Sequence, residues 1–426
     1  MGKNGNFNEK YLSAIVISAI GALIAGSILW FILIPAYNDA QTTKTIEPLF
    51  DKAMNLHREH RYENAIDTFN EILSKITPSR FPDKYKEIQF YLGVNYQQLS
   101  YYRNPEENLL NAESAYNSGL SIISIETDPE HYAKFSKGLG DVYMDRASIR
   151  DKEYNLNKAF QFYSKALDIF TKCQCPGEYA DIQLSIGMCY SKLAEVRDSE
   201  NNYKNAIHAY EEASVVFTPQ YKPKTYGNLQ NNLGNAYLML SKYNNTIINL
   251  NSALQSYQNA SSIFTVETDA IDYAWTQENL GNVCLGMAAL EDTERNVNCA
   301  FHFYNNSLKI YTKDQYPLQY ALIQNNIGVG YYLLANVRDS ENNLYNALQA
   351  DNEALTIYTL RSYPIDYARL QKNIGRIYLK LADIRDKEIN QAKAFQAFNE
   401  ALNIYTPEKY PEEFSIVKRE IEHIKY

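Results

Sequence analysis

The chain has 426 residues, of which 45% are hydrophobic and 21% are charged, and its formal net charge is −9. The apolar content excludes a disordered chain, and the acidic balance argues against a nucleic-acid partner, which requires basic surface. Five cysteines are too few for a disulfide framework. Only 17 glycines and 13 prolines in so long a chain indicate mostly helix, and the 37 tyrosines require an explanation.

The N-terminal region contains an uncharged apolar run from Leu12 to Ile34. A helix of this length measures roughly 34 Å, enough to cross a bilayer core of about 30 Å. We therefore predict a transmembrane helix over residues 11–36, between a tail at 1–10 and a linker at 37–45. A cleaved signal peptide is the alternative, but its apolar region is usually shorter and ends at a small-residue cleavage site.

These features predict a single-pass membrane protein. The balance of lysines on the two sides of the apolar run decides little, and it leans toward an extracytoplasmic position for the rest of the chain. Small residues at every fourth position would let two such helices approach closely, which predicts pairing and a homodimer. The alternative is that this stripe only reflects composition. Its members are Ala14, Ser18, Ala22 and Gly26.

From residue 80 onward the sequence repeats with a period of 47 residues, without insertion or deletion over seven units. A tyrosine precedes each repeating glycine by eight residues, an asparagine follows it by fifteen and an alanine by nineteen. Such a period indicates a stacked solenoid rather than separate globular cores. We number the units one to seven by their glycines, which are Gly93, Gly140, Gly187, Gly234, Gly281, Gly328 and Gly375.

Each unit is predicted to form two helices. In unit four, apolar residues recur at spacings of three and four from Tyr226 to Leu240, and again from Ala253 to Phe264. A proline eleven residues before the glycine, present in six units, is expected to start the first helix. We interpret the repeating asparagine, Asn249 in this unit, as the N-cap of the second helix. The glycine and alanine are expected to mark the helix crossing, with tyrosines packed around it.

The motif resembles the tetratricopeptide repeat (TPR) family, in a variant longer than the usual 34-residue unit. The matching residues in unit four are Leu233, Gly234, Tyr237, Ala253, Tyr257 and Ala260. The resemblance implies an all-α, right-handed superhelical solenoid of antiparallel helix pairs, whose first helices line a concave groove. We expect an ordinary-length unit at 46–79, the seven long units at 80–406 and a C-terminal capping helix at 407–426.

The resemblance also places a row of polar side chains in the groove of units four to seven. Amides spaced one per unit can hydrogen-bond the backbone of an extended peptide, although the same side chains also tie helices together in this family. Basic residues at the far end are expected to hold an acidic side chain or a C-terminal carboxylate, or to be merely solvated. The predicted groove residues are Asn228, Asn231, Asn232, Asn235, Trp275, Asn279, Asn282, Asn325, Asn326, Arg369, Lys372, Asn373 and Arg376.

No sequence motif of catalysis is found. The chain lacks a P-loop, an H-E-x-x-H metal motif and a G-x-S-x-G nucleophile turn. We expect no enzymatic activity, no metal and no cofactor, and we expect Cys189, Cys284 and Cys299 to be buried thiols. The sequence therefore predicts a membrane-anchored module that binds a peptide segment of another protein. The alternative is a scaffold or assembly factor that acts through its outer surface and through self-association.

Overall fold

The computed structural model describes residues 26–27 and 34–424, with the side chains of residues 34, 35, 37 and 423 not described. Within these residues the chain is all helical, and the helices divide into two compact units between Cys175 and Pro176. The N-terminal compact unit holds α1 to α6. These are α1 (Ile34–Arg58), α2 (Tyr62–Leu73), α3 (Pro82–Ser100), α4 (Pro105–Leu120), α5 (Pro129–Arg146) and α6 (Lys152–Leu167).

The C-terminal compact unit continues the pattern, and each first helix packs against the second helix of the same repeat. Its helices are α7 (Pro176–Ala194), α8 (Ser199–Ser214), α9 (Pro223–Leu240), α10 (Thr246–Ser261), α11 (Ala270–Ala288), α12 (Thr293–Leu308), α13 (Pro317–Leu334), α14 (Ser340–Leu355), α15 (Pro364–Ile384), α16 (Lys387–Leu402) and α17 (Pro411–Ile424). The chain is thus an all-α array of paired repeats that resembles TPR solenoids.

Proline starts the first helix in every long unit except unit five, where Ala270 takes its place. Proline suits this position because the first residue of a helix needs no N–H donor and because its fixed φ matches the helix. The C-terminal helix α17 also begins with a proline, Pro411, and lies within the predicted cap. At the other end, residues 37–45 are part of α1, so the predicted linker is helical.

No helix among residues 26–27 and 34–424 combines the length and the apolar character that crossing a membrane requires. This finding contradicts the single-pass membrane localisation that we expected, and we do not retain it. Most of the predicted anchor at 11–36 lies outside the described residues, as do Ala14, Ser18 and Ala22. Gly26 is described as helical, and a Cβ added there would meet nothing within 4 Å.

In six of the seven long units the repeating glycine lies against an aromatic ring from the second helix of its own unit. A Cβ added to Gly140 would lie 2.5 Å from the ring of Tyr163, closer than such contacts allow. Only glycine therefore lets this ring lie flat on the first helix. The ring residue comes 23 positions after the glycine and is almost fully buried, and the repeating alanine of each second helix has no exposed surface. The predicted role of glycine and alanine at the helix crossing agrees with this packing.

The repeating asparagine is not the N-cap that we predicted. In unit three the N-cap is Asp198, which has a positive φ of 44°, and Asn202 is the fourth residue of α8. The side-chain amide of Asn202 donates to the carbonyl oxygen of Arg197 at 2.7 Å. This carbonyl lies beyond the end of α7, where it has no helical donor. The asparagine thus closes the turn between the two helices.

The same turn recurs in all seven units. The residue four before the asparagine is always Asp or Asn and has a φ between 41° and 48°, a conformation that these two residues tolerate better than most. The amide always donates to the carbonyl five residues earlier. The asparagine does lie at the start of the second helix, but this helix begins four residues earlier than expected.

Cys284 and Cys299 form a disulfide between α11 and α12, with their Cα atoms 6.0 Å apart. The prediction of buried thiols at these two positions was therefore wrong, while Cys189 is a buried thiol. Cys284 occupies the position three after the glycine, where the other six units have tyrosine. Because each cysteine occurs in one unit only, the repeat pattern gave no sign that they face each other.

Replacing the turn asparagine of unit six, Asn343→Ala, should lower the free energy of unfolding by about 1–3 kcal/mol, because the carbonyl of Arg338 then loses its donor. Asn342→Ala is the matched control, since Asn342 is exposed on the same helix and should change stability by less than about 0.5 kcal/mol. Urea unfolding followed by circular dichroism measures both. Equal effects of the two substitutions would contradict the assigned role.

Candidate functional site

The first helices of units four to seven, α9, α11, α13 and α15, contact one another in sequence. They carry the predicted groove residues, and all of them lie in the C-terminal compact unit. We call the asparagines of this face the amide surface. Its members are Asn228, Asn231, Asn232, Asn235, Asn279, Asn282, Asn325, Asn326 and Asn373.

Asn231 joins α9 to α11. Its amide donates to the hydroxyl of Thr276 at 2.9 Å, and the hydroxyl lies 3.1 Å from the amide oxygen of Asn231. Both side chains are buried, with Asn231 only 3% exposed. This pair holds two neighbouring first helices together and leaves Asn231 little surface to offer a ligand. Thr276 was not among the predicted site residues.

A chain of amides joins the next three first helices. Asn373 of α15 donates to Asn325 of α13 at 3.2 Å. Asn325 donates to its neighbour Asn326, which in turn donates to the amide oxygen of Asn282 on α11 at 2.9 Å. The hydroxyl of Tyr304 donates to the same oxygen at 2.8 Å. Part of the predicted row is therefore brought together in units five to seven, where Asn282, Asn325, Asn326 and Asn373 are linked by hydrogen bonds.

The amides of unit four are less engaged. Asn228 is exposed, Asn232 and Asn235 are half-buried, and none of these three side chains has a hydrogen-bond partner within the described part of the chain. In unit five, Asn279 donates to the carbonyl of Trp275 on its own helix at 3.0 Å, and the Trp275 ring packs edge-on against Tyr257. Unit four thus presents three open amides beside the buried Asn231, while the amides of units five to seven are hydrogen-bonded.

The basic stripe consists of Arg369, Lys372, Arg376 and Lys380 on α15. Arg369 pairs with Asp366, and Arg376 pairs with Glu420 of α17 at 2.9 Å. Lys380 lies 4.2 Å from the ring centre of Tyr332. Burial and the neighbouring Arg376 lower the pKa of Lys372, which has no salt bridge to another described residue. The acidic partner that we expected for this stripe is supplied in part by the C-terminal helix itself.

Glu278 lies among these residues on α11 and is only 6% exposed. Burial raises the pKa of its carboxyl to about 7, although a hydrogen bond with Asn282 lowers it in part. The carboxyl therefore changes charge near neutral pH, next to an amide that links two helices. Glu278 was not predicted to have a separate role, because it replaces the asparagine found at the equivalent position in units four and six.

A cavity of about 260 Å³ lies beside the amide surface in unit six. Its lining includes Asp351 of α14 together with Asn373 and Arg376 of α15. Asp351 is 1% exposed, and one of its carboxylate oxygens has no hydrogen-bond partner. Sequence reasoning missed this residue, although it occupies a position that is aromatic in the other six units.

Among residues 26–27 and 34–424, no three His, Cys, Asp or Glu side chains are grouped as metal ligands would be. No protein-family model matches the sequence, and no curated protein matches it at a significant level. Comparison with solved structures does find similar chains at low sequence identity, and TPR proteins are among them.

The apo form of RapI is 12% identical, with a TM-score of 0.48, and the alignment covers 89% of this chain and 97% of RapI. A Rap protein complexed with Competence and Sporulation Factor is also 12% identical, with a TM-score of 0.43 and coverages of 90% and 98%. The C-terminal part of a TPR repeat-containing protein from Cytophaga hutchinsonii is 16% identical, with a TM-score of 0.45 and coverages of 72% and 95%. Likeness at this level assigns no function to this chain.

We predict that Asn282→Ala lowers the free energy of unfolding by about 1–3 kcal/mol, because the buried hydroxyl of Tyr304 and the amide of Asn326 both lose their acceptor. Asn228→Ala should stay within about 0.5 kcal/mol, since this amide is exposed. Urea unfolding distinguishes them. A neutral Asn282→Ala variant would mean that the amide chain does not hold the helices together.

Stability should also depend on pH through Glu278. The folded protein holds the Glu278 proton up to about pH 7, while the unfolded chain releases it near the ordinary value of 4.5. The unfolded state therefore binds fewer protons in this window, and the free energy of unfolding falls as pH rises from 4.5 to 7, by at most about 1.4 kcal/mol per pH unit.

Glu278→Gln should remove this contribution. The free energy of unfolding of the variant minus that of wild type should therefore increase as pH rises toward 7. Asp351, whose pKa is also raised by burial, is present in both proteins and cancels from the difference. Glu291→Gln, at an exposed carboxyl of the same unit, is the control. Parallel stability curves for Glu278→Gln and wild type would refute the prediction.

Proposed function

We propose that this chain is a protein-interaction module and that the first helices of units four to seven bind a peptide segment of another protein. The observation that supports this most directly is the continuity of the amide surface. Four successive first helices contact one another and carry amides at the same positions. A linear peptide needs such a regular series of donors and acceptors along its backbone.

The linked amides retain hydrogen-bonding capacity. An amide side chain offers two donor hydrogens and an acceptor oxygen. The side chain of Asn373 uses one donor toward Asn325, and its oxygen accepts no hydrogen bond from the described residues. The links fix the orientation of these side chains. When a peptide binds, the asparagines therefore lose less conformational entropy than free side chains would.

The open amides of unit four are the side chains we propose to contact the peptide most directly. Asn228, Asn232 and Asn235 lie on one helix, and they are exposed or half-buried without partners in the described region. Their substitution removes donors and acceptors but leaves no buried group unpaired. They therefore separate a binding role from a role in stability better than the linked amides do.

At the other end, Lys372 favours an acidic group on the peptide. Its ammonium is half removed from water, and the Arg376 charge beside it lowers its pKa further. A carboxylate in contact with it would offset both effects. Arg369 and Arg376 already pair with Asp366 and Glu420 within the chain, so Lys372 is the cation that an incoming acidic side chain would meet.

The proposal is tested by selecting a displayed library of random peptides on the full chain and measuring the affinity of the enriched peptides. Replacing Asn228, Asn232 and Asn235 with Ala should weaken their binding by about tenfold or more, since each net hydrogen bond contributes about 0.5–1.5 kcal/mol. The melting temperature should be unchanged.

The matched control replaces three exposed asparagines of second helices, Asn305, Asn342 and Asn399, with Ala. This variant should bind the selected peptides as wild type does. Failure to enrich any peptide, or equal affinity for both triple variants, would contradict the proposal. Concentration-dependent self-association in that case would favour the scaffold alternative.

A further inference from the structure

One position breaks the repeat in a way that opens a cavity. The residue 23 after the repeating glycine is aromatic in units one to five and in unit seven, whereas unit six has an aspartate. These residues are Tyr116, Tyr163, Tyr210, Tyr257, Tyr304, Asp351 and Phe398. All seven are almost completely buried.

The ring has the same role wherever it is present. It lies against the repeating glycine, and in unit two its hydroxyl donates to the carboxylate of Asp141 on the first helix at 2.7 Å. In unit five the hydroxyl of Tyr304 donates to Asn282 at 2.8 Å. The fold therefore accepts a phenol in this position. Its hydroxyl has an oxygen acceptor on the first helix in units two and five, whereas the buried hydroxyl of Tyr257 in unit four has no partner among the described residues.

In unit six the glycine is kept and the ring is lost. A Cβ added to Gly328 would lie 2.5 Å from a carboxylate oxygen of Asp351, so the carboxyl takes only the part of the site nearest the glycine. The cavity of about 260 Å³ adjoins this carboxyl. Its lining is mostly apolar and includes Tyr332, Leu333 and Ile377.

The groups around the cavity favour one kind of occupant. The oxygen of Asp351 that contacts the Gly328 position, Oδ1, is buried without a partner, and a donor would remove the penalty for burying it. The apolar lining favours a ring or chain that carries this donor at its tip. Arg376 lines the cavity, and its guanidinium stacks well on aromatic faces but repels a cation.

A simple cation is disfavoured for a further reason. Burial raises the pKa of the Asp351 carboxyl well above its ordinary value, so the acid is uncharged over a wider pH range than an exposed aspartate. A cation would first have to displace this proton. A neutral phenol needs no such change, because a carboxyl oxygen accepts its hydrogen bond in either state.

We propose that this cavity is a receptor for a tyrosine side chain of the bound peptide, whose phenol donates to the Asp351 carboxyl and whose ring packs against the apolar walls and Arg376. The peptide would thereby supply the ring that the second helix of unit six lacks. The inference rests on the proposed peptide-binding function, and it assigns one side chain of the ligand.

The test uses the full chain and p-cresol, which is the tyrosine side chain alone, with binding measured by ligand-observed NMR. Toluene is the same ring without the donor, and n-butylammonium is a cation of comparable length. We expect p-cresol to bind saturably and more tightly than either. Tighter binding of n-butylammonium, or equal binding of p-cresol and toluene, would overturn the assignment.

Three variants locate the binding. Asp351→Leu keeps the size of the side chain and loses the acceptor, so p-cresol should bind about tenfold more weakly while toluene is unaffected. Asp351→Asn keeps an acceptor oxygen and should retain the preference for p-cresol. Asp351→Tyr restores the ring of the other units and should abolish binding of both while raising the melting temperature.

Asp383→Asn is the matched control, since Asp383 is exposed on α15, and it should bind p-cresol as wild type does. If Asp351→Tyr fails to fold, Asp351→Leu and Asp351→Asn still decide the question. Unchanged p-cresol binding in Asp351→Leu would overturn the proposal. Because these probes need no peptide, a negative result here is distinct from failure of the peptide selection, which tests the amide surface.

Discussion

The contact between an aromatic ring and the repeating glycine is the constraint on which six of the seven long units depend. It fixes how close the two helices of a unit approach, because any larger residue in place of glycine would meet the ring. The position of the ring in turn sets where the first helix presents its next residues. The residue after the glycine, Asp141 in unit two and Asn282 in unit five, accepts the ring hydroxyl. In these two units the ring packed in the core is therefore coupled to the polar side chain that follows the glycine.

A second constraint is the turn between the helices of a unit. The left-handed Asp or Asn and the asparagine four residues later act together in this turn. The first is the N-cap of the second helix, and the second donates to the carbonyl left unbonded between the two helices. The turn recurs without change in length, so the first helices repeat in the same register within each compact unit. In the C-terminal compact unit this brings amides of successive first helices into hydrogen-bonding distance, as Asn373 and Asn325, 48 residues apart, and Asn326 and Asn282, 44 residues apart, show.

Much of the fold could be predicted because the repeat amplifies weak signals. Seven copies of a glycine and an alanine and six of a proline define the helices of a unit better than any single copy does. The N-cap assignment failed because the sequence shows a conserved spacing but not which residue adopts a positive φ. Two contacts were not predicted for a related reason, since each occurs once and depends on contacts between helices. They are the disulfide of Cys284 and Cys299 and the hydrogen bond between Asn231 and Thr276. Asp351 was visible as a break in the pattern, but its consequence required the cavity beside it.

The amides that join the first helices belong to the surface that we propose to bind a peptide, and their hydrogen bonds divide them into two groups. In units five to seven each linked amide spends part of its hydrogen-bonding capacity on a neighbouring helix and keeps the rest, so its orientation is fixed before a ligand arrives. In unit four Asn228, Asn232 and Asn235 have no such links to described residues, so a bound peptide would have to order them. A ligand that contacts both regions would gain directional contacts from the fixed amides and adaptability from the open ones. The buried Glu278 beside Asn282 ties the fixed region to pH, because its ionisation places a charge where the links between first helices converge.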